Sequence, residues 1–262
     1  EIRLSLVGSE MCIRDRSADA ALQRIRESIR RSVARDPALN EVEITGRLTT
    51  GRDIAAFALV DLVIEAVPED RELKEQALAR AETAMPADAT LASNTSSISI
   101  DDLSASRRRP EHFLGLHFFN PVPASALVEI VRGAATDAAV VENAAGWVSS
   151  LGKTPIVVTD SPGFASSRLG VMLGLEAIRM LEEGVASAVD IDAAMTLGYR
   201  HPMGPLRTTD VVGLDVRLGI AEELERTLGE RFAPPDLLRR MVAEGKLGRK
   251  SGEGFYAWNE ER

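Results

Sequence analysis

The stretch GLHFFNPVPASALVEIV holds a histidine and a glutamate whose neighbours are mostly apolar. His117 closes an apolar run, and Glu129 follows twelve residues later among Leu127, Val128, Ile130 and Val131. Burying a carboxylate in such surroundings is costly unless it has a partner, and His117 is the candidate. A glutamate hydrogen-bonded to one imidazole nitrogen fixes the tautomer and raises the ring's basicity, so that the other nitrogen takes up a proton. That is a general-base dyad. Taken alone, one His and one Glu also suit a structural salt bridge or two unrelated surface roles.

Other polar groups follow apolar runs in the same way. SNTSS, Ser93 to Ser97, comes where open α/β sheets place ligand contacts, at the carboxyl end of a strand. Its hydroxyls and amide suit a substrate oxygen, but composition alone favours a turn and the N-cap of the next helix. EAVPEDRELK offers Glu69 and Lys74 on that side of a sheet, either for a cofactor or as an acidic first turn with a solvated lysine. His201 in RHPMGP and His112 in PEHF have no partner visible in sequence and read as structural, and Cys12 lacks nucleophile machinery. No metal-ligand pattern is read.

The elements that must position these groups follow from periodicity. SADAALQRIRESIRRSVARD sets Ala21, Ile25, Ile29 and Val33 four apart, with Arg24, Arg26, Arg30 and Arg31 among them, which predicts an amphipathic helix. Its arginines suit phosphates or simply water. DLVIEAV reads as a strand covered on both faces, RELKEQALARAETA as a helix, and TLASNTS, FLGLHFF, ALVEIV and PIVVT as further strands. Strands alternating with helices predict a parallel, doubly wound sheet. After SPG at Ser161 to Gly163 the pattern turns helical, which places a domain boundary near residue 160.

A chain of 262 residues that is 45% hydrophobic fills one large or two modest cores. Lys and Arg total 31 against 40 Asp and Glu, a net charge of −9, so no global positive field draws in nucleic acid or an anionic membrane. One cysteine forms no internal disulfide, and no apolar run approaches the roughly 18–20 residues of a membrane span. The expectation is a cytoplasmic protein.

In this order, SNTSS, HFFNPVP, LVEIV, DSPGF, HPMGP with TDVVGLD, and GRKSGEGFY resemble the 3-hydroxyacyl-CoA dehydrogenase family, including the bacterial 3-hydroxybutyryl-CoA dehydrogenases, from about Asp61 to the C-terminus. The resemblance implies NAD-dependent oxidation of the C3 hydroxyl of a 3-hydroxyacyl-CoA, a reaction of fatty-acid β-oxidation, run in either direction. By the same resemblance His117 is the base, Glu129 orients it, Ser96 hydrogen-bonds the reacting oxygen, and Asn120 helps position nicotinamide and substrate. Glu69, Lys74, Asn94 and Lys250 fall where the family contacts NAD, and Arg24 and Arg30 where it meets CoA phosphates. A homodimer formed through the C-terminal domain is also implied, with an acyl-CoA thioester as the molecule bound.

Two departures stand out. Much of the family carries VVNR or IVNR after DSPGF, with an asparagine near the substrate, whereas ASSR puts Ser167 there. A serine hydroxyl has shorter reach and fewer donors. The family also opens on a strand and a GxGxxG turn, whose glycines let a pyrophosphate approach backbone amides. No GxGxxG occurs in this sequence. LSLVGSEM starts the pattern with Gly8, but Ser9, Glu10 and Met11 follow, and SLVGSEMCIRDR resembles translated sequencing-adapter read-through. Asp15 lies where the family has an acid for the adenosine ribose.

The expectation is therefore an α/β protein: an artefactual segment at 1–16, an N-terminally truncated Rossmann-like domain at 17–160 and an all-helical substrate and dimerisation domain at 161–262, binding NAD poorly. Two rivals are a non-catalytic, crystallin-like or degenerate member of the fold and a dehydrogenase of free 3-hydroxy acids.

Overall fold

The computed structural model describes residues 4–7, 15–36, 38–51, 53–120 and 122–258. The chain opens with strand β1, Leu4–Val7, followed by helices α1, Asp15–Arg35, and α2, Glu41–Gly46, and strand β2, Leu48–Gly51. In α1 the four-residue stripe Ala21, Ile25, Ile29 and Val33 is half-buried, while Arg24, Arg26, Arg30 and Arg31 are exposed. Asn40 starts α2 by accepting the amides of Val42 and Glu43.

Next come β3, Leu62–Glu65; α3, Arg71–Ala84; β4, Thr90–Ser93; α4, Ile100–Ser104; β5, Phe113–Phe118; β6, Leu127–Arg132; α5, Ala138–Ser150; and β7, Thr154–Thr159. Asp70 caps α3 by accepting the Leu73 amide at 2.8 Å. The five strands form one sheet in the order β3-β4-β5-β6-β7. The β3/β4 and β4/β5 pairs are parallel, as expected, but β5 and β6 are antiparallel. Parallel neighbours need a crossover of about a dozen residues or more, and only eight residues, 119–126, separate these two strands, with no helix among the described ones. The expectation of a parallel sheet is corrected at this pair.

The segment read as artefactual supplies a strand. β1 pairs in parallel with β2, from Leu4 opposite Leu48 to Val7 opposite Gly51, in a two-stranded sheet separate from the other five strands. Gly8, Ser9, Glu10, Met11 and Cys12 lie outside the described residues, and Asp15 is the first residue of α1.

The remaining elements are helical: α6, Ser166–Glu182; α7, Ala188–Ala193, which runs into a π-helical turn at Ala194–Gly198; α8, Pro205–Val212; α9, Leu214–Leu228; and α10, Asp236–Ala243. GFYAW lies in a turn joined by isolated bridges and forms no strand. The chain divides into two compact units, Glu1–Asn94 with Ile100–Pro155, and Thr95–Ser99 with Ile156–Arg262. In the sheet unit Leu114, Leu116, Val128 and Ile130 pack with Val140 and Ala144 of α5; in the helical unit Leu175, Ile178, Leu206, Leu214, Leu224 and Leu238 form the core. No helix of the described residues is long and apolar enough to cross a membrane.

Candidate active site

His117 and Glu129 meet because β5 and β6 are antiparallel. The ladder pairs Gly115 with Val131, Leu116 with Ile130 and Phe118 with Val128, which makes His117 and Glu129 direct partners. Partners of this kind share one face of the sheet with their Cβ atoms a few ångströms apart. His117 Nδ1 lies 2.7 Å from Glu129 Oε2, and the glutamate side chain is fully buried. With Nδ1 held by a carboxylate, that nitrogen carries the N–H, and proton exchange falls to Nε2. The Phe119 ring packs against the imidazole, 4.5 Å between centroids. Gly115, two residues before the histidine, lets β5 approach closely, since a Cβ there would stand 2.8 Å from that of Val131 and 3.0 Å from Ile100 Cδ1.

The carboxyl ends of β3 and β4 form a second polar cluster. Lys74 is 1% exposed, and its ammonium donates to Glu65 at 2.9 and 3.2 Å and to the Val67 carbonyl at 3.0 Å. Exposed Glu69 lies 3.3 Å from the same ammonium. Glu65 also accepts the Ser93 hydroxyl and the Val67 amide, each at 2.6 Å. A buried charge satisfied on this scale is held in place. The reading of Lys74 as a solvated charge is thus overturned, and Glu65, which the sequence reading passed over, is the hub of the cluster. Its signal was present, since VIEAV places an acid inside an apolar strand just as LVEIV does.

Asn94 extends β4: its amide donates to the Glu65 carbonyl at 2.8 Å, and its side-chain oxygen accepts the Phe118 amide at 2.9 Å. It thereby fixes the backbone next to His117. In SNTSS the turn is made by Thr95, whose hydroxyl oxygen accepts the Ile98 amide at 2.9 Å, so the capping role expected of Ser and Asn falls to threonine. Asn120 is exposed in the turn after Phe119.

Ser96, Ser167 and Lys250 belong to the helical unit. Ser96 is half-buried, and Ser167 sits in the first turn of α6, half-buried, just beyond Gly163 and Phe164. Both of these adopt left-handed backbone, φ 74° and 50°; for a bulky residue such as phenylalanine that is a strained conformation. Lys250 binds Asp215 at 2.6 Å. Burial pushes the Asp215 carboxyl up, but hydrogen bonds from Lys250 and the Val216 amide outweigh it and leave the group below its ordinary value. Arg24 is exposed on α1, and Arg30, also exposed, reaches Glu41 at 3.3 Å. His112 and His201 are half-buried.

Asp210 was not singled out either. It is fully buried and accepts the amides of Phe255 and Tyr256 and the indole N–H of Trp258 at 2.9, 3.0 and 2.7 Å. A Cβ on Gly254 would collide with its carboxylate. These contacts explain why TDVVGLD and GEGFY occur together.

A dinucleotide fits part of what is described. In an open parallel sheet ligands bind at the carboxyl ends of the strands, and Glu69, Lys74 and Asn94 stand at those of β3 and β4. The pyrophosphate half has no GxGxxG turn.

Two families match the chain: "3-hydroxyacyl-CoA dehydrogenase, NAD binding domain" over residues 5–161 and "3-hydroxyacyl-CoA dehydrogenase, C-terminal domain" over residues 163–258. A 3-hydroxybutyryl-CoA dehydrogenase of Mycobacterium tuberculosis is 43% identical over 250 residues, covering 91% of this chain and 85% of that protein. A 3-hydroxyadipyl-CoA dehydrogenase of Escherichia coli is 43% identical over 218 residues, 82% of this chain and 46% of that protein. Among solved structures, the (S)-3-hydroxybutyryl-CoA dehydrogenase PaaH1 of Ralstonia eutropha superposes with a TM-score of 0.89 at 36% identity, covering 95% of this chain and 89% of that one.

Proposed function

The chain belongs to the 3-hydroxyacyl-CoA dehydrogenase family of NAD-dependent oxidoreductases, and from that premise we propose how its residues divide the work on a 3-hydroxyacyl-CoA thioester. His117 takes the C3 hydroxyl proton at Nε2 and returns it when the reaction runs backward. Glu129 holds Nδ1–H and so keeps the accepting lone pair on the other side of the ring. When bound, NAD accepts the hydride from C3. Ser96 hydrogen-bonds the reacting oxygen, with Asn120 beside it; Glu69, Lys74, Asn94 and Lys250 serve the cofactor, with Asp15 on the adenosine ribose; Ser167, Arg24 and Arg30 serve the acyl-CoA. The observation that carries this reading is the 2.7 Å bond between two buried ladder partners, because a tautomer-fixed imidazole is what general-base removal of a hydroxyl proton requires.

We also propose that the helical domain forms a homodimer in the cytoplasm. Leu169, Val189, Leu197 and Tyr199 are 71%, 63%, 82% and 76% exposed, and a dimer contact would cover such side chains. The residue limits 17–160 and 161–262 describe the two functional halves. NAD binding by the chain as written is weak, since the glycine turn that delivers amides to a pyrophosphate is missing from the sequence.

The test is NADH oxidation with acetoacetyl-CoA and with free acetoacetate, on this chain and on one in which residues 1–16 are replaced by a strand and GxGxxG turn. The proposal expects turnover of the thioester alone, and much faster turnover in the second protein. Preference for the free acid, or an inert second protein that binds NAD normally, would refute it.

A further inference from the structure

One buried cation in the helical unit has no part in the assignments above. Arg217, on α9, is 6% exposed, and its Nε is buried without a hydrogen-bond partner. Burial alone pushes the guanidinium down to about 10, with no opposing charge to offset it. Such a group is costly unless something anionic reaches it.

The surface opposite belongs to α6. A Cβ on Gly174 of α6 would stand 3.8 Å from Arg217 Nε, and one on Gly170 would stand 3.4 Å from Nη1. Glycine is unfavourable inside a helix, yet two occur one turn apart where the guanidinium lies. Arg217 therefore runs along α6 from Gly174 toward Gly170, in the direction of the helix's first turn. Ser167, three residues before Gly170, lies on that same face. The Thr209 hydroxyl beside Gly174 is already committed to the Pro205 carbonyl.

We infer that Arg217 receives a carboxylate at the far end of the acyl chain, which makes the ligand a 3-hydroxyacyl-CoA ending in a second carboxyl group. The inference rests on the dehydrogenase reading, in which Ser167 serves the acyl-CoA. A carboxylate meets a guanidinium through two parallel hydrogen bonds, whereas an alkyl end leaves the cation buried and unpaired. If the arginine stem were only packing material, a neutral chain of equal length would bind as well.

Calorimetric titration separates these cases without requiring NAD. The full chain is titrated with adipyl-CoA and with hexanoyl-CoA, six-carbon acyl groups that differ by the terminal carboxyl, as are Arg217→Met and Arg217→Lys. Adipyl-CoA is expected to bind roughly tenfold or more tightly than hexanoyl-CoA. Arg217→Met should erase that preference, and Arg217→Lys should keep part of it; if the methionine variant does not fold, the lysine variant carries the comparison. Equal affinities, insensitive to both substitutions, overturn the inference. So does an unchanged preference accompanied by weaker self-association in sedimentation, which would assign the carboxylate to a second copy of the chain. If neither thioester binds, the acyl-CoA reading itself fails and takes this assignment with it.

Discussion

Glu129 in the sheet unit and Asp210 in the helical unit are both fully buried carboxylates, and they spend that charge differently. Asp210 accepts two backbone amides and an indole N–H, none of which titrates in water, and so ties a C-terminal turn to α8. Glu129 faces an imidazole, a side chain that can both take up and give back a proton. Burial alone does not distinguish the two. What distinguishes them is whether the partner can gain or lose a proton: fixed donors make a carboxylate architectural, and a titratable one makes it chemical.

The sharpest way to break this comparison is to remove the titratable partner. His117→Gln in a protein carrying a GxGxxG turn should lower turnover about 10²–10⁴-fold while NAD still binds. Near-normal turnover with acetoacetyl-CoA and NADH would move Glu129 into the architectural class. Asp210→Ala should do the reverse, costing about 3 kcal/mol or more of stability because several buried donors lose their acceptor. Thermal unfolding reads it, and a melting temperature close to that of the parent would show that the turn is held by other contacts.

The smallest effect is expected at Lys250 and Asp215, whose side chains are 46% and 39% exposed. Because the Asp215 carboxyl is held below its ordinary value in the folded protein, its contribution is present above the unfolded-state value and is lost as pH falls through the folded one. Solvent screening limits that contribution to less than about 1 kcal/mol. Lys250→Met should flatten the fall in stability below about pH 4. An unchanged acid-unfolding curve would show that Lys250 does not depress the Asp215 carboxyl.

The strands and helices from Asp61 onward were legible because apolar runs bounded by turns and a four-residue stripe are local properties. RELKEQALARAETA forms α3 from its first residue to its last. The dyad was legible because both members stand in conspicuously apolar settings. The antiparallel turn of β6 was missed because strand direction depends on the length and content of a connection, which strand periodicity does not report. Asp210 gives no local signal because its partners lie 45, 46 and 48 residues away, at Phe255, Tyr256 and Trp258, whereas Glu65 has Lys74 only nine residues on and was legible in the way Glu129 was. Arg217 has no sequence signal, because its isolation exists only once α6 turns two glycines toward it.

The pairing of β5 with β6 also has a consequence for quality control. In a ladder the side chains alternate between faces, so a shift by one residue would carry Glu129 to the opposite side from His117. Such a molecule would still look folded to circular dichroism and still bury apolar surface, but its imidazole would have lost its anchor. Specific activity per mole of protein is therefore a measure of how many chains have zipped these two strands correctly.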